Sequence, residues 1–344
     1  MTAILISIAA IAALIVLHEL GHLVCAKLAK MDVIRFSIGF GNPLITFRSG
    51  KEGTIYQIGW LPLGGYVQIR GLDQEPTSGS GGTGAFESQP LAKRLSVALG
   101  GPTANLIVGW LLIACLYVAG RPVASERPVI GDIDPQGAAS EVGLRPGDEI
   151  LAIGAMPVST WQQLADEIHK RPGLATSLRV RRADGSMAPI TVTPKPTGSI
   201  GLIGIRPAFI ILRTGPVEAM VRSTKDTGRL ISGMLGGLWS LIRGNRGNTE
   251  VVGPVGIVKI AADELKAGPI RFLAWIAMLN VMLFLFNLFP LPALDGGRLV
   301  FLGVEAVIRK RPDPKIEALI HTAGFFVIIG LLVLVTFNDI FRLY

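Results

Sequence analysis

Val16–Val24 reads VLHELGHLV: two histidines and a glutamate inside an apolar run that begins at Ala3. The run Ala3–Cys25 reaches the ~20 residues that span a bilayer. Ionisable side chains at that depth are rare unless they face the protein interior and act there. Their spacing indicates the action. On a helix, positions i and i+4 stack on one face, so His18 and His22 can offer two imidazoles to one metal ion, with Glu19 beside them. Zinc suits imidazole, and a catalytic zinc keeps three protein ligands and leaves the fourth position to water. Glu19 would then accept that water's proton. An HExxH pattern also arises by chance in about one in a hundred chains this poor in histidine, and the membrane setting is what argues against chance here.

The surrounding composition agrees with a membrane protein. The 344 residues are 50% hydrophobic, with a mean hydropathy of +0.51. Two cysteines, Cys25 and Cys115, both lie in apolar stretches, which excludes a disulfide scaffold and a cysteine-based metal site. The net charge of +8 comes from basic residues gathered beside apolar runs, so the expected partner is the lipid bilayer and no nucleic acid is expected. Four segments are long enough to span: Ala3–Cys25, Leu95–Ala119, Phe272–Leu294 and Ala318–Phe337. The first has no basic n-region and no small-residue cleavage site, so it is expected to be retained as a helix. Lys27, Lys30, Arg35, Arg48, Lys51, Arg70, Lys93 and Arg94 follow the first segment, and Arg298, Arg309, Lys310, Arg311 and Lys315 follow the third. Both loops are therefore expected in the cytosol, with the termini and the region between the second and third segments outside.

The expected fold class is an α-helical polytopic membrane protein of four transmembrane helices, with a membrane-associated β-hairpin region and one inserted PDZ-like α+β domain. Along the chain this gives a first transmembrane helix at 1–30 and the β region at 31–72, rich in Gly, Pro and β-branched residues. A flexible linker at 73–90 contains TSGSGGTGA, Thr77–Ala85. The second transmembrane helix is expected at 91–120 and the small domain at 127–207. A membrane-surface helix with its connector fills 215–270, the third transmembrane segment 271–300 and the fourth helix 316–340. Within 127–207, GAASEVGLRPGDEILAIGAMPV, Gly137–Val158, resembles the bacterial PDZ pattern. Such domains bind extended peptides at a sheet edge, which implies a peptide ligand. The alternatives are a steric filter or a β-rich spacer.

A third metal ligand is needed. His169 falls in the PDZ-like region, on the wrong side of the membrane, and His321 reads as interfacial. Asp295 in NLFPLPALDGGRL, Asn287–Leu299, is the remaining acid. Pro290, Pro292, Gly296 and Gly297 break a helix there, and broken backbone at membrane depth is tolerated only inside protein or along a cavity. Asp295 is thus either the third ligand or a polar helix end at the cytosolic surface. Depth allows the first: His18 lies about 26 Å along a helix starting at Met1, at 1.5 Å per residue, and Asp295 ends a segment running from outside to inside.

HELGH at 18–22, GPTAN at 101–105, GPVGI at 253–257 and NLFPLPALDGG at 287–297 resemble, in order and spacing, the site-2 proteases, zinc metalloproteases that cut within membranes. Within them the likeness is to the bacterial regulator of sigma-E protease group. The resemblance implies Zn2+ as cofactor, His18, His22 and Asp295 as its ligands and Glu19 as general acid/base. It implies substrate binding by Asn287, Pro290, Pro292, Gly65 and Tyr66, with region 36–69 pairing with an unwound substrate helix. The implied substrates are single-span membrane proteins, such as anti-sigma factors or signal-peptide remnants. The implied site is the bacterial cytoplasmic (inner) membrane, with chemistry near the cytosolic side and the PDZ-like domain outside. One departure stands out: the best-known enzyme of that group has two tandem PDZ domains, and this chain has room for one, so the resemblance leaves the substrate open, since members with one PDZ domain need not share the anti-sigma-factor role. A zinc-bound scaffold and a broken-helix transporter are the other classes. Intact Glu19 speaks against the first, and the lack of an internal repeat against the second.

Overall fold

The computed structural model describes residues 1–50, 53–72, 82–244 and 252–343. They form two compact units, Met1–Val118 with Gly215–Tyr344, and Ala119–Thr214.

In the first unit α1 (Thr2–Leu28) is an unbroken aliphatic helix closed by Lys27, a cation in its last turn. Two long strands follow, β1 (Val33–Arg48) and β2 (Ile55–Ile69), paired antiparallel. Their register folds the pair back on itself: Ser37 faces Tyr66 on one side and Gln57 on the other, while Phe47 also faces Tyr56. The sheet therefore has four strips, in the order 43–48, 55–59, 35–38 and 65–69. Gly39 (φ +82°) and Gly64 (φ +104°) make the bends, where a side chain would be strained. Among the described residues the strip 65–69 is paired on one side only, which makes it an edge. Leu23, Ala26, Phe36, Val67, Ile69, Phe86 and Val97 bury the base of the sheet against α1. At the far end, Leu44, Phe47 and Trp60 are exposed.

The linker expected at 73–90 falls at 73–81 outside the described residues. Its later part is docked: Phe86 is buried, and its amide donates to Arg70 O at 2.8 Å while the Asp32 amide donates to Gly84 O at 2.8 Å. The apolar Phe86 ring explains the docking, since a Gly/Ser composition nearby says nothing about one aromatic anchor. Next comes α2 (Leu91–Ala119), with Pro102 inside it.

The second unit contains β3 (Arg121–Ala124), β4 (Ile130–Ile133), α3 (Ala138–Glu141), β5 (Glu149–Ile153), β6 (Met156–Pro157) and α4 (Trp161–His169). It continues with β7 (Thr176–Arg181), β8 (Met187–Val192), β9 (Lys195–Thr197), β10 (Ile200–Leu202), β11 (Ile205–Pro207) and β12 (Phe209–Leu212). A four-stranded sheet runs β6-β5-β7-β8, with the smaller pairs β11-β4, β12-β3 and β10-β9. Ile130, Ile150, Leu164, Leu178, Val180 and Val192 form its own core, and the Thr160 hydroxyl caps α4 by accepting the Gln163 amide at 3.2 Å.

Back in the first unit, α5 (Pro216–Ile242), α6 (Pro254–Ala267) and α7 (Pro269–Asn287) each begin with proline, whose fixed φ and missing N–H suit a first helical position. They are followed by α8 (Asp295–Ile308) and α9 (Pro314–Leu343). Among the described residues, α1, α2, α7 and α9 are long and apolar enough to cross a membrane. Within the segment 271–300 the helix stops at Asn287 and restarts at Asp295, because Pro290 and Pro292 cannot donate to the helix ladder.

An ion pair between a buried Arg94 and a half-buried Glu305 links α2 to α8. Arg94 meets both oxygens of Glu305, one at 2.7 Å, and Arg311 lies 3.4 Å from the same carboxylate. The Arg94 hydrogen bonds hold the Glu305 carboxyl below the usual glutamate range. Its stabilisation is therefore present above the unfolded value of about 4.3 and is lost as pH falls through the lower folded value. Glu305→Ala leaves the Arg94 guanidinium with its bond to Gln89 O but without the carboxylate, and should cost about 1–3 kcal/mol at neutral pH. Denaturation of both proteins should show that gap narrowing once the pH is below about 4, where the unfolded chain's carboxyl takes up protons that the folded one still refuses.

Candidate active site

The site begins with how closely two helices cross. A Cβ on Gly100 would lie 2.7 Å from Gly21 O, and one on Gly101 would lie 2.6 Å from His18 Nε2 and closer still to His22 Nε2. Glycine at these positions lets α1 and α2 touch backbone to backbone, as small residues do in membrane helices. The contact brings polar groups of α2 onto the histidines. The Val97 carbonyl lies 2.7 Å from His22 Nδ1. A carbonyl only accepts, so His22 carries its proton on Nδ1 and turns a lone pair on Nε2 into the site. Asn105, fully buried, has its amide 3.2 Å from His18 Nδ1. With the amide nitrogen there, the Asn105 Oδ1 is buried without a partner. Turning the amide over satisfies that oxygen with the His18 Nδ1 proton, because oxygen and nitrogen ends are a matter of assignment. His18 then also presents a lone pair on Nε2.

Asp295, the first residue of α8, completes the group. Its Oδ2 is 3.0 Å from His18 Nε2 and 3.3 Å from His22 Nε2, and the two Nε2 atoms are 3.2 Å apart. Oδ2 is buried without an aligned hydrogen-bond donor. Three acceptors facing one another at these distances need positive charge between them. Tetrahedral zinc with bonds of about 2.0–2.1 Å separates its ligand atoms by about 3.3 Å, so the triangle fits that ion. Among the described residues, His18, His22 and Asp295 make the one such group.

The three border a cavity of about 280 Å³ that Glu19, Tyr66, Asn287 and Arg298 also line. Gly65 lies against Glu19: a Cβ there would sit 3.3 Å from Glu19 Cγ. Tyr66 and Val67 bring the edge strip of β2 to the cavity wall. The Asn287 amide donates to Leu283 O at 3.0 Å, closing the last turn of α7. Pro290 and Pro292 do not line the cavity. Pro290 is exposed and Pro292 packs on Gly324 of α9, both within the break between α7 and α8. His169 ends α4, and His321 accepts the Ala293 amide at 3.0 Å. Sequence reasoning missed Asn105, the Val97 carbonyl and Arg298. An asparagine in the apolar run 95–119 was a visible signal, whereas nothing in a sequence marks a backbone carbonyl.

The family model for peptidase family M50 matches residues 6–331. This chain belongs to that family. At 33% identity it matches, over 98% of its length and 97% of the relative's, a Clostridium acetobutylicum protein that carries a zinc metalloprotease name. It is 29% identical to the zinc metalloprotease RasP of Geobacillus kaustophilus, over 95% of each chain. It is 27% identical to the regulator of sigma-E protease RseP of Escherichia coli, over 98% of each. Among solved structures, the PDZ domain of an SdrC-like protein from Listeria monocytogenes covers 25% of this chain and 90% of its own, at 23% identity and a TM-score of 0.21. Glu19 and the three acceptor atoms border the same cavity.

Gly101→Ala tests the helix crossing on which this arrangement rests. The added methyl would overlap both imidazole rings. Bound divalent metal and peptidase activity should fall together, by more than about tenfold, while circular dichroism keeps its helix signal.

Proposed function

We propose that this M50 peptidase is an intramembrane zinc endopeptidase that hydrolyses peptide bonds within or near the transmembrane segments of single-span membrane proteins. The observation that carries the reading is the buried triangle of acceptor atoms on His18, His22 and Asp295, 3.0–3.3 Å on a side, with Glu19 lining the same cavity. His18, His22 and Asp295 would hold the ion, with Asn105 and Val97 O orienting the two rings. Zinc, when bound there, polarises a peptide carbonyl and makes water acidic enough to ionise near neutral pH.

The chain's own groups do the rest. Glu19 takes the proton of the attacking water and returns it to the leaving amine. A substrate helix exposes no carbonyl until it is unwound, and the edge strip 65–69 offers free backbone partners for the unwound stretch. Gly65, lacking a side chain, lets that stretch approach Glu19. Asn287 and Tyr66 stand at the cavity wall as further polar contacts. The broken backbone between Asn287 and Asp295 admits water to a site otherwise walled by apolar helices.

The setting follows from the same reading. The chain sits in a bacterial cytoplasmic membrane, with α1, α2, α7 and α9 crossing it and the active site near the cytosolic face, where the basic loops lie. The second unit is then a PDZ-like domain outside the membrane, acting as a peptide receptor or as a filter that excludes bulky ectodomains. Membrane-anchored regulators and signal-peptide remnants suit such an enzyme, and regulated intramembrane proteolysis is the process it would serve.

Glu19→Gln and Asp295→Ala separate base from ligand. Purified Glu19→Gln should retain zinc and lose roughly 10²–10⁴-fold in cleavage of a co-expressed single-span substrate. Asp295→Ala leaves two protein ligands where a catalytic site uses three, so it should lose zinc and cleavage together. Substantial cleavage by Glu19→Gln would sink the mechanism, and full zinc occupancy with normal cleavage in Asp295→Ala would remove that residue from the site.

A further inference from the structure

The loop 288–294 delivers Asp295 to the histidines, and its backbone can be accounted for donor by donor. Pro290 and Pro292 have no N–H. The amides of Leu288 and Phe289 close onto Leu285 O and Phe286 O at 3.1 Å each, that of Leu291 onto Phe289 O at 2.7 Å, and that of Leu294 onto Leu291 O at 3.3 Å. The remaining amide, on Ala293, donates to His321 Nδ1 at 3.0 Å. It is the one amide of the loop met by a side chain from another element. Ala293 also has φ +70°, a left-handed conformation that costs a non-glycine residue about 1–2 kcal/mol and must be held by its surroundings.

The partner helix is shaped for the task. His321 and Gly324 are three residues apart and share one face of α9. A Cβ on Gly324 would lie 3.0 Å from the Pro292 carbonyl carbon and closer still to Pro292 Cβ, so only glycine lets helix and loop come this close. The His321 ring also lies 5.6 Å from that of Phe301 on α8, the helix that Asp295 begins. Elsewhere the apolar core of α9 is bare, with none of its most hydrophobic window buried in the protein. A lipid-facing helix gains little from apolar contact with its neighbours, so its polar contacts fix its place.

We propose that His321 is a positioning residue: by accepting the Ala293 amide from α9, it holds the loop in the conformation that sets Asp295 beside His18 and His22. The proposal rests on the zinc reading for its consequence, weaker metal binding, and on the loop geometry for its cause. A backbone amide only donates, so the ring meets it with the Nδ1 lone pair.

The test uses the full chain in detergent or nanodiscs, in four forms. His321→Leu keeps bulk and removes the acceptor. His321→Asn places an amide oxygen near the position of Nδ1 and should rescue. Gly324→Ala pushes on Pro292 and leaves His321 intact. On metal-free protein, hydrogen exchange in peptides covering 290–294 should quicken at least about tenfold in His321→Leu and Gly324→Ala, and stay near wild type in His321→Asn. Exchange across α1 and α7 should be unchanged in all, which separates loop release from unfolding. Zinc affinity, measured by chelator competition, should weaken about 10–100-fold in the first two variants and by less than about threefold in His321→Asn. Unchanged exchange in His321→Leu would overturn the proposal, as would unchanged zinc affinity, or an Asn variant as impaired as the Leu one. If His321→Leu does not fold, His321→Asn and Gly324→Ala decide by the same criteria. If wild type itself binds no zinc, the proposed function fails, and the exchange data still decide whether His321 holds the loop.

Discussion

Two imidazole nitrogens and a carboxylate oxygen meet within 3.3 Å of one another among apolar helices. Lone pairs facing each other repel, and burial removes the water that would otherwise separate them. The arrangement persists only if the surroundings hold each ring and the loop carrying the carboxylate in place. The glycines at the crossing of α1 and α2 do the first. They bring the Val97 carbonyl and the Asn105 amide onto the outer nitrogens of the rings, so both inner nitrogens point the same way. The proline-broken connection between α7 and α8 does the second, since a continuous helix would carry Asp295 past the site.

The same economy of polar contacts runs through the first unit. Arg94 and Glu305 tie the start of α2 to α8. Asp339 on α9 is buried and accepts the amides of Gly253 and Gly256 at 3.0 and 2.8 Å, a carboxylate on the N-terminus of α6. His321 ties the other end of α9 to the Asp295 loop. Helices bathed in lipid are not pressed together by water, so a few hydrogen bonds and close glycine contacts set their positions. Each polar tie lies near the end of a helix or beside the cavity, where its burial is shared with a partner.

Much of this was legible in the sequence for a physical reason. The i, i+4 stacking of His18 and His22 follows from helix geometry alone, and prolines at 290 and 292 announce a break wherever the chain goes. The presence of Asp295 in a broken segment could be read, but its choice as partner could not, because 273 residues separate it from His22 and only tertiary packing closes that gap. His321 looked interfacial because its acceptor role depends on a loop amide that carries no sequence signature. The fold-back of β1 and β2 was hidden for a similar reason. Glycine punctuation at 39–41 and 59–65 marks bends without saying which strips then pair. Phe86 within a Gly/Ser-rich surrounding reads as linker by composition, yet one buried ring is enough to dock it.

The second unit folds around its own core, with a buried Asp148 accepting the Arg145 amide at 2.8 Å and an Arg182 nitrogen at 2.6 Å. That tie closes the turn of GLRPGD, Gly143–Asp148, onto the start of β5. The chemistry proposed above rests on the triangle of His18, His22 and Asp295 in the first unit. X-ray absorption at the zinc edge of the purified chain tests that triangle most directly. One zinc per chain is expected, with two imidazoles and a carboxylate oxygen in its shell, and with the oxygen lost in Asp295→Ala. A shell containing sulfur, a single imidazole, or no bound zinc in a cleavage-competent protein would contradict it.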